Sequence, residues 1–148
     1  MCYYSTIILA FLFNENNIMK IFLDDVRIPR DCLGYMYKRI GVDNLLYQED
    51  WIIVRNYQQF VKLIDENVGN ISHISFDHDL ADEHYHYSMN DSAEEYNKYL
   101  MSECTEKTGL DCAKYFKEAY AEENIPLPIM FVHSMNPVGT QNIINLFK

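Results

Sequence analysis

Three short apolar runs, each stopping on a cluster of polar chemistry, constrain this chain more than any other feature. Met19-Lys-Ile-Phe-Leu23 runs into Asp24-Asp25, Ile71-Ser-His-Ile-Ser-Phe76 into Asp77-His78-Asp79, and Ile129-Met-Phe-Val132 into His133-Ser134. Short runs rich in β-branched and aromatic residues read as strands. In an open α/β sheet, ligands bind beyond the carboxyl ends of the strands. Three strands ending in ionisable groups therefore predict one site on one sheet edge.

The segments between the runs alternate with them as helices. Trp51 to Val54 reads as a further buried strand, ending in Arg55-Asn56. Asn56 then has the position of an N-cap with Gln59 three residues on, close to a capping box. Tyr57, Phe60, Val61 and Ile64 share one helical face, which Gly69 ends. Thr108 is an N-cap with Asp111 in the first turn, and Leu110, Ala113, Phe116 and Tyr120 follow the helical period. Asn136-Pro137 combines an N-cap with proline at the first helical position, which starts a last helix over Val138 to Phe147. Residues 25–31 read as a loop, because Pro29 lacks a donor and holds Ile28 extended. Leu33, Met36, Tyr37 and Ile40 suggest a short helix that Gly34 and Gly41 weaken. Trp51 and the methionines are assigned to the core. The alternation makes this a parallel α/β sheet.

Two segments stand apart. Residues 1–18 hold an apolar stretch of about twelve residues, too short to span a bilayer at ~20, and read as an N-terminal extension or an extra strand. Residues 81–106 are rich in Tyr, Asp, Glu, Asn and Ser with little periodicity, which reads as a lid or a mobile insertion. His84 and His86 within it read as a surface pair.

At 148 residues, the chain makes one domain with a core of its own. A net charge of −10 argues against bulk nucleic-acid binding, which draws on Lys and Arg against phosphates, but leaves room for one phosphorylated substrate or RNA end. Cys2, Cys32, Cys104 and Cys112 form no CxxC pair, so reduced thiols and a cytoplasmic setting are expected, with no membrane.

A parallel sheet gathers Asp24, Asp25, Arg55, Asp77, His78, Asp79, His133, Ser134 and Asn136 around one crevice. Clustered carboxylates without thiolates match Mg²⁺ or Mn²⁺. The helix starting at Pro137 would turn free N–H groups toward the crevice and so favour an anion. Strand alternation leaves open whether His78 faces the crevice.

These pieces resemble the cyclic-phosphate processing receiver domains. The similarity rests on Ile21-Phe-Leu-Asp24-Asp25-Val-Arg27-Ile-Pro29, Ser75-Phe-Asp77-His78-Asp79-Leu80, Thr108-Gly-Leu-Asp111 and Val132-His133-Ser134-Met-Asn136-Pro137-Val-Gly139, and covers residues 19–148. The resemblance implies a receiver-like (flavodoxin-like) three-layer α/β/α fold with a parallel sheet of four or five strands. It also implies a role in handling cyclic phosphates at nucleotide or RNA ends. Asp24 and Asp25 correspond to the acidic metal pair of ordinary receivers, Asp77 to their phospho-accepting position and Ser134 to the hydroxyl that contacts the phosphoryl group. No obvious fifth-strand lysine is present, which sets the chain apart from phosphorelay receivers.

The expectation is a metal-dependent phosphoesterase with Asp24, Asp25 and Asp77 on Mg²⁺ (or Mn²⁺). Asp79 is a further ligand or a histidine's partner. His133 or His78 moves the proton, and Arg27, Arg55, Ser134 and Asn136 hold phosphate. The alternative is a non-catalytic receiver-like module that binds a phosphorylated or cyclic nucleotide or regulates a partner protein.

Overall fold

A computed structural model describes residues 18–41, 45–86 and 92–148. The 1–17 part of the N-terminal segment, with its expected extension or extra strand, lies outside them. Four strands, β1 (Met19–Leu23), β2 (Ile52–Val54), β3 (Ile71–Phe76) and β4 (Ile129–Val132), form one sheet in the order β2-β1-β3-β4. Every pairing is parallel. Ile21 pairs with Ile52 and Ile74, and Leu23 with Val54 and Phe76. The apolar side chains therefore fall in rows across the sheet.

Strand periodicity divides these rows between two cores. Ile21, Leu23, Val54, Ile74 and Phe76 face helices α2 (Tyr57–Asn67), α4 (Gly109–Glu122) and α5 (Pro137–Leu146), where Phe60, Ile64, Phe116 and Ile143 are buried against them. Phe22 faces the other side and packs with Cys32 and Met36 of helix α1 (Pro29–Ile40) and with Tyr47. The result is the receiver-like three-layer α/β/α arrangement.

Helix starts follow local chemistry. Asn56 accepts the Gln59 amide at 3.0 Å, but Gln59 Oε1 takes the Arg55 amide rather than closing a capping box on Asn56. Thr108 and Asp111 do close one, with the Thr108 amide on Asp111 Oδ2 at 2.9 Å. Asn136 accepts the Gly139 amide at 2.9 Å and opens α5.

Several sequence expectations need correction. The loop predicted over 25–31 ends early: α1 begins at Pro29, where a missing N–H costs nothing, and Asp31 accepts the Ile28 amide at 2.9 Å. β2 is an edge strand and not a buried one, with Ile52 and Ile53 41% and 37% exposed. Met36 is buried, but Met101 and Met135 are exposed rather than core, and Trp51 is half-buried beside Phe22. The segment 81–106 carries a 3₁₀ turn at Asp82–His86 and a ten-residue helix, α3 (Ala93–Ser102), started by a Ser92/Glu95 capping box. Polar composition hid its periodicity, because tyrosines supply its packing. Tyr96 is 2% exposed, and the Tyr99 hydroxyl donates to the Glu83 carbonyl at 2.9 Å. His84 is fully buried and not on the surface, and the side chain of His86 lies outside the described residues.

Gly109 marks the closest approach of a helix to the site. Its amide donates to the His78 carbonyl at 2.8 Å, and a Cβ there would sit 1.7 Å from the Asp77 carbonyl oxygen. Gly109→Ala is expected to destabilise the fold by at least ~1–3 kcal/mol, the cost of overpacking against backbone. Gly34→Ala, in an exposed helix interior with open space around it, should stabilise by about 0.5–1 kcal/mol. Chemical denaturation of the two variants checks the opposite signs.

Candidate functional site

The ladder continues one residue past the strands. Asp24 N donates to Val54 O at 3.0 Å, Asp77 N to Leu23 O at 2.9 Å and His133 N to Phe76 O at 2.9 Å. Asp24, Asp77 and His133 are thereby aligned on the carboxyl edge. Leu23 and Phe76 point toward α4 and α5, so the next side chain in each strand points toward α1. Asp24, Asp25 and Asp77 each bring an oxygen within 4.8 Å of the others.

Arg27 is lodged among them. Its Nε donates to Asp24 Oδ2 at 2.7 Å, one terminal nitrogen to Asp77 Oδ2 at 2.9 Å, and the other to the Tyr35 hydroxyl at 3.0 Å. Tyr35 in turn donates to the His133 carbonyl at 2.6 Å. The other Asp24 oxygen, Oδ1, accepts the amides of Val26 and Arg27.

These contacts set the charge states. Burial alone would raise the Asp24 pKa, but the His133 hydrogen bond, the two amides and the Arg27 charge outweigh it and hold the group at about 2. Asp25 moves up, through burial and then the negative charges of Asp24 and Asp77. Burial would lower the Arg27 pKa, but the Asp77 and Asp24 carboxylates outweigh it and raise it. Asp24 and Asp77 thus hold one guanidinium between them, with Asp25 at the half-buried rim of the cluster.

His133 is fully buried and both its ring nitrogens are engaged. Nε2 lies 3.2 Å from Asp24 Oδ2, and Nδ1 lies 2.7 Å from Ser75 Oγ, which is 2.8 Å from the Tyr47 hydroxyl. One consistent polarity runs from Tyr47 O–H to Ser75, from Ser75 O–H to Nδ1, and from Nε2–H to Asp24. The ring stacks on Phe22 at 4.1 Å. Burial lowers its pKa, only partly opposed by Asp24. His133 therefore orients Asp24 and has no nitrogen free for substrate. The geometry places it beside Asp24, behind the carboxylates, rather than at an open face of the crevice.

His78 and Asp79 form a second cluster on the far side of β3. By alternation His78 points toward α5, where a Cβ on Gly139 would come within 2.2 Å of its ring. His78 Nδ1 is 2.8 Å from Asp79 Oδ1, and Asp79 also accepts from Asn136 Nδ2 (3.1 and 3.2 Å) and the Tyr96 hydroxyl (3.0 Å). Of its two expected roles, Asp79 has that of a histidine's partner. His78 Nε2 is buried without a partner among the described residues. It lies away from the carboxylates, so the expected catalytic use of His78 and Asp79 beside them is not what the geometry provides.

The expected phosphate ligands divide in the same way. Arg27 borders the crevice with its side chain 25% exposed. Arg55 instead braces the loop, donating to the carbonyls of Asp24 at 2.9 Å and Arg27 at 2.7 Å. Asn136 is spent on Asp79, Tyr96 and the Gly139 amide, and Ser134 is fully buried with Oγ accepting the Asn136 amide at 3.2 Å. Pro137 has no amide and Asn136 takes that of Gly139, so the anion site expected at the start of α5 is curtailed. A helix terminus loses its pull on ligands as its own cap satisfies it.

Three participants escaped sequence reasoning. Tyr35 and Arg39 reach across from α1, Arg39 donating to the Ser134 carbonyl at 2.8 Å. Tyr85 donates to Asp25 Oδ1 at 3.3 Å. Tyr35 lies on the same α1 face as Cys32, three residues earlier, which is the one signal that would have placed it. Two other ligand-like clusters are unsuited to metal. In Asp24, Cys32 and His133, burial pushes the thiol up to about 11. In Glu83, His84 and Cys104, His84 spends Nδ1 on the Leu80 amide (2.9 Å) and Nε2 on the Glu106 carbonyl (3.2 Å).

The sequence model of one protein family, described as the cyclic-phosphate processing Receiver domain, matches residues 19–148. No curated protein matches the chain. Among the described residues, no helix is long and apolar enough to cross a membrane.

The buried neutral His133 has a consequence for stability. Its pKa is depressed in the folded state, whereas the unfolded chain takes up the proton near its ordinary 6.5. Unfolding therefore binds protons as the pH drops below that value, and the contribution is present above about pH 6.5 and lost below it. His73 is also depressed by burial, so the difference between proteins is the readout. In chelator-treated protein, His133→Gln should flatten the fall in melting temperature between pH 7.5 and 5.5 relative to wild type.

Proposed function

The chain belongs to the cyclic-phosphate processing receiver domain family, and from that premise we propose that it is a metal-dependent phosphoesterase acting on cyclic phosphates of nucleotides or RNA ends. The observation that carries the reading is the trio Asp24, Asp25 and Asp77, with oxygens within 4.8 Å of one another. Hard carboxylate oxygens without a usable thiolate fit Mg²⁺ or Mn²⁺. Asp24 and Asp77 would hold the cation from the fixed sheet edge, with Asp25 completing the set from the rim. A bound divalent cation lowers the pKa of coordinated water and offsets charge on the phosphoryl oxygens.

The remaining roles belong to the chain's own groups. Two backbone amides and His133 keep Asp24 ionised and aimed. Arg27 brings a planar fork of donors to the crevice, suited to two oxygens of one phosphate. Asp25 is the one carboxyl of the trio that is half-exposed and shifted toward its protonated form. As water adds to phosphorus and one P–O ester bond of the ring breaks, the water's proton would pass through solvent to the leaving oxygen, with Asp25 kept as a ligand. A cytoplasmic location and a nucleotide or RNA-end substrate go with this reading.

The test is a turnover screen of purified protein with Mg²⁺ or Mn²⁺ against 2′,3′-cyclic, 3′,5′-cyclic and linear nucleotides. Ring opening of a cyclic phosphate, abolished by chelation and reduced at least about 100-fold by Asp77→Asn, is the expected result. Binding without turnover under either metal would replace the enzyme with the non-catalytic module, and activity untouched by Asp77→Asn would place the chemistry elsewhere.

A further inference from the structure

We propose that Arg27 is an exchangeable internal counter-ion: it neutralises Asp24 and Asp77 while no cation is bound, and yields its place to a divalent cation and turns to the substrate phosphate. This rests on the metal-dependent reading above and adds a step to it. The guanidinium contacts Oδ2 of both carboxylates, at 2.7 and 2.9 Å, and these belong to the trio that would ligate the ion. A cation on the same oxygens and a guanidinium donating to them exclude one another by charge and by space. Three carboxyls against one guanidinium also leave excess negative charge that a divalent ion meets better.

The side chain is built to leave without its loop. Arg27's backbone is fixed separately, its carbonyl by Arg55 at 2.7 Å and its amide by Asp24 Oδ1. Its side chain is 25% exposed while those of Asp24 and Asp77 are 0% and 3% exposed, so the outward path is open to the guanidinium. Once displaced, it stands at the rim beside a cluster whose charge the cation largely offsets, where a phosphate is the strongest available acceptor for its fork. Cation and phosphate should then strengthen one another's binding, since each favours the same Arg27 position.

The experiment titrates Mn²⁺ alone, by calorimetry, into chelator-stripped wild type, Arg27→Gln and Arg27→Lys, and follows melting temperature with and without Mn²⁺. Arg27→Gln should bind Mn²⁺ at least about tenfold tighter than wild type, since the ion no longer displaces a paired charge. Arg27→Lys, which keeps the charge and loses the fork, should fall between them. Arg27→Gln should also melt lower than wild type in chelator and recover on adding Mn²⁺, which a merely structural arginine would not produce. Should Arg27→Gln fail to fold, Arg27→Lys decides by the same comparison. Equal or weaker Mn²⁺ binding by the variants overturns the exchange and leaves the metal reading standing. Absence of Mn²⁺ binding in all three proteins removes the metal reading and the exchange with it.

Discussion

Three backbone hydrogen bonds, Asp24 to Val54, Asp77 to Leu23 and His133 to Phe76, extend the parallel ladder one step beyond its apolar rows. The site depends on that step. Parallel pairing sends every strand end to the same edge, and the period of two then sorts each polar residue to one face or the other. Asp24, Asp77 and His133 fall on the α1 side, and His78 on the α5 side. One register accounts for both polar clusters and for their separation.

The two faces use their polar groups differently. On the α1 side the groups are charged and incompletely balanced, with Arg27 bridging two carboxylates and Asp25 left at the rim. On the α5 side Asp79 is surrounded by Asn136, Tyr96 and His78. The bonds converging on Asp79 fix its position, while His78 Nε2 is left without a partner among the described residues. The network ties α3, through Tyr96, to the end of β3. The α1-side carboxylates are held by one part-exposed guanidinium, whereas Asp79 is enclosed by groups of the fold's own interior.

Much of this was legible in the chain. Apolar runs ending at Leu23, Phe76 and Val132 located the sheet edge, because burial demands a continuous row and the first charge ends it. Asn56, Thr108 and Asn136 located helix starts, because a side-chain oxygen must meet a free amide. The rest was hidden for identifiable reasons. Nothing local shows that His133 would be enclosed by Phe22, Ser75 and Asp24, since those contacts join three strands. Asn136 has the composition of a phosphate ligand, and only the fold shows it consumed by Asp79 and Gly139. Tyr35 looks like any amphipathic helix residue until α1 is laid across the sheet. The α3 helix was missed because its buried face is made of tyrosines in a polar background.

Gly109 deserves a last consequence. With no room for even a methyl group between α4 and the Asp77 carbonyl, the backbone beneath that carboxylate is clamped by α4. Asp24 and Asp77 are the buried side of the cluster, while Arg27 and Asp25 are its part-exposed side. Changes in α4 packing would move the Asp77 backbone even where every residue that touches its carboxylate stays the same.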